Sequence, residues 1–248
     1  MLSIRDLKEK KKNGEPVSMI TAYDFAFAQM AERAGIDQIL VGDSLANTML
    51  GYSSTREIGM NEMKIFTSAV RRGAPDTHIV ADMPYLSDEN PKAALQNAKA
   101  LLECGADSVK IEGVNTEVLK VLRDNEIEIV GHIGLQPQTA KNFKQHGKTP
   151  EEAERIFKEA EILNALGVFE IVLEHIPEEL GKRITQEIPA ITIGIGAGRF
   201  TDGQVLVLHD VLGLHDKKNP PFAARLTNLF DLGVEGISKY IEHIRQGS

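Results

Sequence analysis

The chain reads as an α/β protein folded into a closed (β/α)8 TIM barrel, and three observations carry that expectation. Short β-branched runs alternate with amphipathic stretches from end to end, the pattern of a parallel sheet with helical crossovers. Eight strand candidates fall within 248 residues, a length that suits one barrel of about 250 residues. No linker, internal repeat or low-complexity segment interrupts the alternation. Residues 1–248 are therefore expected as one (β/α)8 barrel domain with a short N-terminal helix and a helical C-terminal tail.

The elements follow in order. Residues 3–12 form a short polar helix closed by Asn13-Gly14, and 17–21 a first β-branched strand. Residues 25–34 have apolar side chains at helical spacing and stop at Gly35, a C-cap signal. A second strand, 38–41, enters Gly42-Asp43-Ser44; an irregular stretch, 45–59, precedes a helix over 60–72. The third strand, 78–82, is stopped by Pro84. Pro91 then opens a helix to 103, where its missing N–H costs little. Residues 107–112 are the fourth strand, 116–123 a helix, and 127–132 the fifth strand; 138–148 is polar and loop-like. Thr149 with Glu152 three residues on resembles a capping box opening a helix to Leu166. The sixth strand is 169–174, a helix 177–187, the seventh strand 190–195, and the eighth 205–209. Little helix fits between the last two, so that step is the weakest. Residues 221–245 read as largely helical.

Composition narrows the function. The chain is 42% hydrophobic and 26% charged, as globular proteins are, and its net charge of -8 with pI near 5.4 excludes bulk attraction to nucleic acid or anionic membrane. The run Lys8–Lys12, mixed with Glu9, is expected as a solvated helix face. Cys104 is the sole cysteine, so no intrachain disulfide is possible, which suits a reducing compartment. Residues 1–14 are too charged for a secretory signal. No apolar run approaches the roughly 20 residues of a membrane helix. A cytoplasmic protein is expected.

The chemistry is written at the strand ends. Side chains two apart on a strand share a face. Taken at that period, Ile39, Val41 and Asp43 align, as do His78, Val80 and Asp82. Ser108, Lys110 and Glu112 form a third row, Glu128, Val130 and His132 a fourth, and Glu170, Val172 and Glu174 a fifth. One phase thus places Asp43, Asp82, Lys110, Glu112, His132 and Glu174 at the barrel's C-terminal mouth, where catalytic groups of this fold gather. Each residue alone could close a turn, cap a helix or form a structural pair. Independent turn residues, however, need not fall in one phase at five strand ends.

Several carboxylates buried together are unfavourable unless a cation joins them. Oxygen donors without thiolate suit Mg²⁺, which shares its sphere with water and substrate. A 2-oxo acid could fill two open positions. The metal would acidify the adjacent C–H, Glu174 would remove that proton to give a metal-bound enolate, and Lys110 would balance charge. The enolate carbon would attack an electrophile that the chemistry alone does not choose. Residues 193–198, Ile-Gly-Ile-Gly-Ala-Gly, lack the spacing and following helix of a dinucleotide loop. A lyase of the phosphoenolpyruvate mutase and isocitrate lyase type, a class II aldolase and a non-catalytic 2-oxo acid sensor remain open on these grounds. The Lys-Lys-Cys-Gly-His loop of the first group is absent.

Eight ordered segments resemble the ketopantoate (3-methyl-2-oxobutanoate) hydroxymethyltransferase family. They are residues 18–24 (Ser-Met-Ile-Thr-Ala-Tyr-Asp), 40–44 (Leu-Val-Gly-Asp-Ser), 80–84 (Val-Ala-Asp-Met-Pro) and 109–113 (Val-Lys-Ile-Glu-Gly). Then follow 131–138 (Gly-His-Ile-Gly-Leu-Gln-Pro-Gln), 172–174 (Val-Leu-Glu), 193–198, and 202–207 (Asp-Gly-Gln-Val-Leu-Val). The resemblance implies a (β/α)8 barrel, Mg²⁺, and transfer of a hydroxymethyl group from 5,10-methylenetetrahydrofolate to 3-methyl-2-oxobutanoate, giving 2-dehydropantoate for pantothenate and coenzyme A. It implies Asp43, Asp82 and Glu112 at the metal, Glu112 through a water. It implies Asp43, Ser44, Asp82, Lys110 and His132 at the substrate, Glu174 as proton acceptor, and a homodecamer. The chain departs from the family pattern at Tyr85-Leu86-Ser87-Asp88, Phe66, Val114 and Gln136; the metal and base positions are intact.

Overall fold

The computed structural model describes residues 2–140 and 142–247. The chain divides into two compact units, Met1–Val205 and Leu206–Ser248. The first is built on eight parallel strands, β1 Val17–Thr21, β2 Gln38–Val41, β3 His78–Asp82, β4 Ser108–Glu112, β5 Ile129–Gly134, β6 Glu170–Glu174, β7 Ile191–Ile195 and β8 Gly203–Leu206, in the sequential order of a closed barrel. Helices Phe25–Arg33, Met60–Gly73, Pro91–Glu103, Thr116–Asp124, Pro150–Ala165 and Glu178–Glu187 follow strands β1, β2, β3, β4, β5 and β6.

The cores separate by strand phase. Ile39, Val41, Ile79, Ala81, Val109, Ile111, Ile171 and Leu173 face the helices. Met19, Leu40, Val80, Val130, Val172, Ile193 and Val205 form the second buried cluster, which fills the barrel. Helix Ile4–Asn13 adds Leu7, fully buried in that interior cluster. Its basic run is only partly a solvated face. Lys8 and Lys12 are exposed, but Lys10 pairs with Asp37 at 2.7 Å. Lys11 reaches Asp202 at 2.8 Å and the carbonyls of Ile188 and Ala190 at 3.0 and 2.7 Å. These lysines fasten the helix across the floor of the barrel.

Below the apolar layer lies a polar one. His78 Nε2 is 3.1 Å from Ser108 Oγ, and Gln38 and Glu170 are fully buried. Burial pushes Glu170 up to about 8; the nearby Gln38 amide opposes the shift and the Asp202 charge adds to it.

Several boundaries differ from the sequence expectation. Strand β5 starts and ends two residues late, because the chain turns through Glu126 at φ 58° and Ile127 N–H donates back to Leu122 O, leaving Glu128 exposed outside the strand. Strand β4 starts at Ser108; Asp107 precedes it and pairs with Arg71. Strand β8 starts two residues early and ends three early. Gly203 and Gln204 pair with Ile193 and Gly194, and closure onto β1 brings Val17 O to 2.2 Å from where a Gly203 Cβ would stand, so only glycine fits. Thr149 does cap its helix, accepting from Glu152 N–H at 3.3 Å, while the Glu152 carboxylate turns to His146 Nδ1 at 2.8 Å.

In the second unit, helix Leu208–Leu212 is followed by irregular chain, and the tail helix runs only over Leu229–Arg245. His215 Nε2 meets Asp210 Oδ1 at 2.8 Å, and Phe230 N–H donates to Gly213 O at 2.8 Å. The tail helix buries none of its residues; Leu232, Ile237, Tyr240 and Ile244 are exposed. Among the described residues no helix is long and apolar enough to cross a membrane.

Candidate active site

The C-terminal ends of β3 to β6 set five side chains in one interior phase. The register pairs Asp82 with Lys110, Glu112 with His132, and Gly134 with Glu174. Lys110 is 5% and His132 2% exposed, so both cations sit inside the mouth. Lys110 Nζ lies 3.0 Å from Asp82 Oδ1 and 3.4 Å from His132 Nδ1. His132 stands between two carboxylates: Nδ1 is 3.3 Å from Glu112 Oε1, and Nε2 is 3.0 Å from Glu174 Oε2. The Lys110–Asp82 and His132–Glu174 contacts are close ion pairs rather than aligned hydrogen bonds.

Asp43 reaches this group by another route than the sequence phase implies. Ile39 and Val41 face the helices while Leu40 faces the barrel, so the interior phase of β2 runs through Gln38, Leu40 and Gly42. Asp43 lies beyond the strand, in the turn that follows it. The inward position at Gly42 carries no side chain, and a Cβ there would stand 3.5 Å from Asp82 Oδ2 and 2.9 Å from Ser44 Oγ. Into that space comes the Asp82 carboxylate, whose Oδ2 accepts from Asp43 N–H at 2.9 Å. Ser44 Oγ is 2.8 Å from the buried Tyr23 hydroxyl. All seven predicted site residues are thus gathered at one rim.

Two residues were not singled out by sequence. Gln138, expected in a polar loop, is buried; its Nε2 donates to Asp43 Oδ2 at 2.9 Å and Met83 O at 3.0 Å, and its N–H to Glu112 Oε2 at 3.1 Å. Its only sequence signal was its place in the 131–138 segment. Tyr23, in the 18–24 segment, gave no sign of its hydroxyl contact. Burial pushes that phenol up to about 12, hydrogen bonds from Ser44, Thr21 and Thr48 notwithstanding.

The electrostatics explain the arrangement. Burial raises Asp43 to about 7, helped by the Asp82 charge and opposed by Lys110. Burial likewise disfavours a charged Lys110, but Asp82, Glu112 and Asp43 outweigh it and hold the ammonium above its ordinary value. For His132, burial and Lys110 act against the imidazolium, yet contacts with Glu112 and Glu174 win and raise it to about 9. Burial opposes a charged Glu112, but His132, Lys110 and the Gln138 N–H bring its carboxyl below the usual range.

When all are ionised, four carboxylates face two cations. The rim then lacks two positive charges, and Asp43 answers by keeping its proton up to about pH 7. A hard divalent cation fits that deficit and the oxygen donor set of Asp43 and Asp82. Among the described residues no group of three or more His, Cys, Asp and Glu side chains is assembled to hold an ion by itself. Such an ion would take the remaining positions from water and substrate.

A closed parallel barrel with an acid-and-base set at its C-terminal rim defines a class, the (β/α)8 enzymes. The family model for ketopantoate hydroxymethyltransferase matches residues 1–248. A 3-methyl-2-oxobutanoate hydroxymethyltransferase of Kosmotoga olearia is 45% identical over 95% of this chain and 91% of its own. One of Thermus thermophilus is 44% identical over 99% of this chain and 95% of its own. The chain belongs to the ketopantoate hydroxymethyltransferase family. Among solved structures, phosphoenolpyruvate phosphomutase of Streptomyces platensis aligns at TM-score 0.65 and 14% identity, over 99% of this chain and 88% of that one. A phosphonopyruvate hydrolase complexed with oxalate and Mg²⁺ aligns at TM-score 0.66 and 10% identity, over 99% and 88%. These likenesses concern the barrel.

Proposed function

We propose that the protein transfers a hydroxymethyl group from 5,10-methylenetetrahydrofolate to 3-methyl-2-oxobutanoate in a Mg²⁺-dependent reaction, giving 2-dehydropantoate for pantothenate synthesis. The observation that carries this reading is the convergence of Asp43, Asp82, Lys110, Glu112, His132 and Glu174 at one rim. Family membership supports the choice of acceptor. The phosphonopyruvate hydrolase, a neighbour in fold, was solved with oxalate and Mg²⁺, in keeping with a barrel of this kind taking a small carboxylate and a divalent metal.

Asp43 and Asp82 would hold the ion, with Glu112 behind a water because its oxygens are occupied by His132 and the Gln138 N–H. Mg²⁺, when bound, acidifies the C–H next to the keto carbon. Glu174 takes the C3 proton. Its Oε2 faces His132 Nε2, so Oε1 is the oxygen available. The Glu174 side chain is 19% exposed against 3% for His132, so the base, not the histidine, meets the mouth. Lys110 offsets the negative charge that develops on the keto oxygen as the proton leaves. Ser44, held by Tyr23, offers its hydroxyl to the substrate. Water adds to the donor's methylene group and both its C–N bonds break, which releases tetrahydrofolate and a one-carbon unit at the formaldehyde level; the C3 carbon bonds to that carbon, and its oxygen takes up the proton that Glu174 removed.

A cytoplasmic location agrees with the single cysteine, and a homodecameric assembly is supported by the family resemblance and by the apolar residues exposed on helix Leu229–Arg245. The test is incubation with 3-methyl-2-oxobutanoate, methylenetetrahydrofolate and Mg²⁺. Product is expected only when all three are present. Binding of metal and acid without any 2-dehydropantoate would overturn the assignment, and turnover without folate would favour a lyase.

A further inference from the structure

We propose that Gln138 is a positioning residue for the metal-ligating carboxylates, fixing which oxygen of Asp43 is presented to a divalent cation. The inference rests on the proposed metal site and goes beyond it to a residue outside the ligand set.

Gln138 connects three strand ends from the loop after β5. Its Nε2 lies 2.9 Å from Asp43 Oδ2 and 3.0 Å from Met83 O, and its backbone N–H is 3.1 Å from Glu112 Oε2. Met83 directly follows Asp82, so one residue touches the chain at every candidate ligand. Both partners of the amide act as acceptors, the Met83 carbonyl always and the Asp43 carboxylate once ionised. Only the NH₂ end of the amide, with two hydrogens to give, satisfies them together. A carboxylate in its place would meet two acceptors, and a hydroxyl could serve only one.

The loop that carries Gln138 is itself held. Leu135 N–H donates to Glu174 O at 2.8 Å, and the N–H groups of Thr139 and Ala140 return to Gln136 O at 3.1 and 2.9 Å. Gln138 is 6% exposed, so its NH₂ group is held among these acceptors rather than in solvent. With Oδ2 engaged by that amide, Asp43 has Oδ1 left, which takes no hydrogen bond among the described residues. Partners behind a ligating carboxylate set its orientation and commonly contribute 10–100-fold to metal affinity.

The test is calorimetric titration of the full chain with Mg²⁺, comparing wild type, Gln138→Met, Asp43→Asn and the double variant. Methionine fills similar space and keeps the backbone N–H to Glu112. Gln138→Met is expected to weaken Mg²⁺ by about 10–100-fold, while the metal-free protein stays folded at a somewhat lower melting temperature, because two buried acceptors lose their donor. In the double variant the two losses should not multiply, because Gln138 acts through Asp43. Losses that multiply independently, or an affinity equal to wild type, would overturn the proposal. Should Gln138→Met fail to fold, Gln138→Asn, whose amide is withdrawn by one methylene, is read by the same criteria. A wild-type chain that binds the 2-oxo acid but no Mg²⁺ would remove the metal site and this inference together; Mg²⁺ binding that ignores Gln138 removes the inference alone.

Discussion

Replacing Lys110 by Met tests the electrostatic account of the rim most directly. The ammonium is 5% exposed, lies 3.0 Å from Asp82 Oδ1, and also opposes the rise of Asp43. Methionine matches the length of the stem and carries no charge. Removing one partner of a buried pair costs about 3–5 kcal/mol, because the other charge stays buried without compensation. For a unit of roughly 200 residues each kcal/mol shifts the melting midpoint by about 2–4 °C, so a fall of about 6–20 °C is expected near pH 7.5. The pH dependence has a definite sign. Without Lys110 the Asp43 carboxyl rises further above about 7. An acid raised in the folded state stabilises at low pH and loses that contribution as pH climbs through the folded value. The deficit against wild type should therefore narrow from pH 7.5 to pH 5, and saturating Mg²⁺ should narrow it as well. Thermal unfolding followed by near-ultraviolet circular dichroism measures both. A deficit below about 1 kcal/mol, the range of an exposed ion pair, or one that ignores pH, would refute the claim that Lys110 neutralises the rim.

Glu174→Gln should retain 2-oxo acid binding and slow exchange of the C3 proton in D₂O by about 10²–10⁴, the usual contribution of a general base; proton NMR reads it, and unchanged exchange would assign the base elsewhere. Asp43→Asn and Asp82→Asn should each weaken Mg²⁺ and substrate together in calorimetry, whereas independent effects would mean that the two carboxylates share no ion. Since Asp43 holds a proton up to about 7, wild-type Mg²⁺ affinity should fall by up to about tenfold per unit as pH drops below that value. Glu170→Gln, at the barrel floor, should remove a stability loss that wild type shows between its ordinary value of 4.5 and about 8. The slope to be abolished is at most about 1.4 kcal/mol per pH unit, and a melting curve series with identical slopes in both proteins would contradict a neutral Glu170.

The barrel was legible because its periods are local. Seven of the eight strands begin and end within two residues of the bounds read from β-branched runs that end at Gly, Pro or a cap, and Thr149 caps its helix as its spacing implied, although Glu152 does not complete the box. The strand-end charges were legible for the same reason, as Asp82, Lys110, Glu112, His132 and Glu174 share one interior phase. Asp43 was found for a reason that did not hold. Counting by two through Ile39 and Val41 assumed that the strand persists to Asp43, whereas it ends at Val41 and the turn delivers the carboxylate. The basic run at Lys8–Lys12 misled in the opposite direction, since charge alone cannot tell a solvated lysine from one whose stem reaches Asp202 on the far side of the floor.

Sequence by itself determined the alternation of elements, the residue types at the strand ends and, through ordered motifs, the family. Tertiary structure alone decided that His132 lies between Glu112 and Glu174, that Gly42 leaves room for Asp82, and that Gln138 spans three loops. The physical reason is reach: backbone periodicity is set by neighbours a few residues away, whereas Gln138 and Asp43 stand 95 residues apart and meet only because closure of the barrel brings their loops to one end.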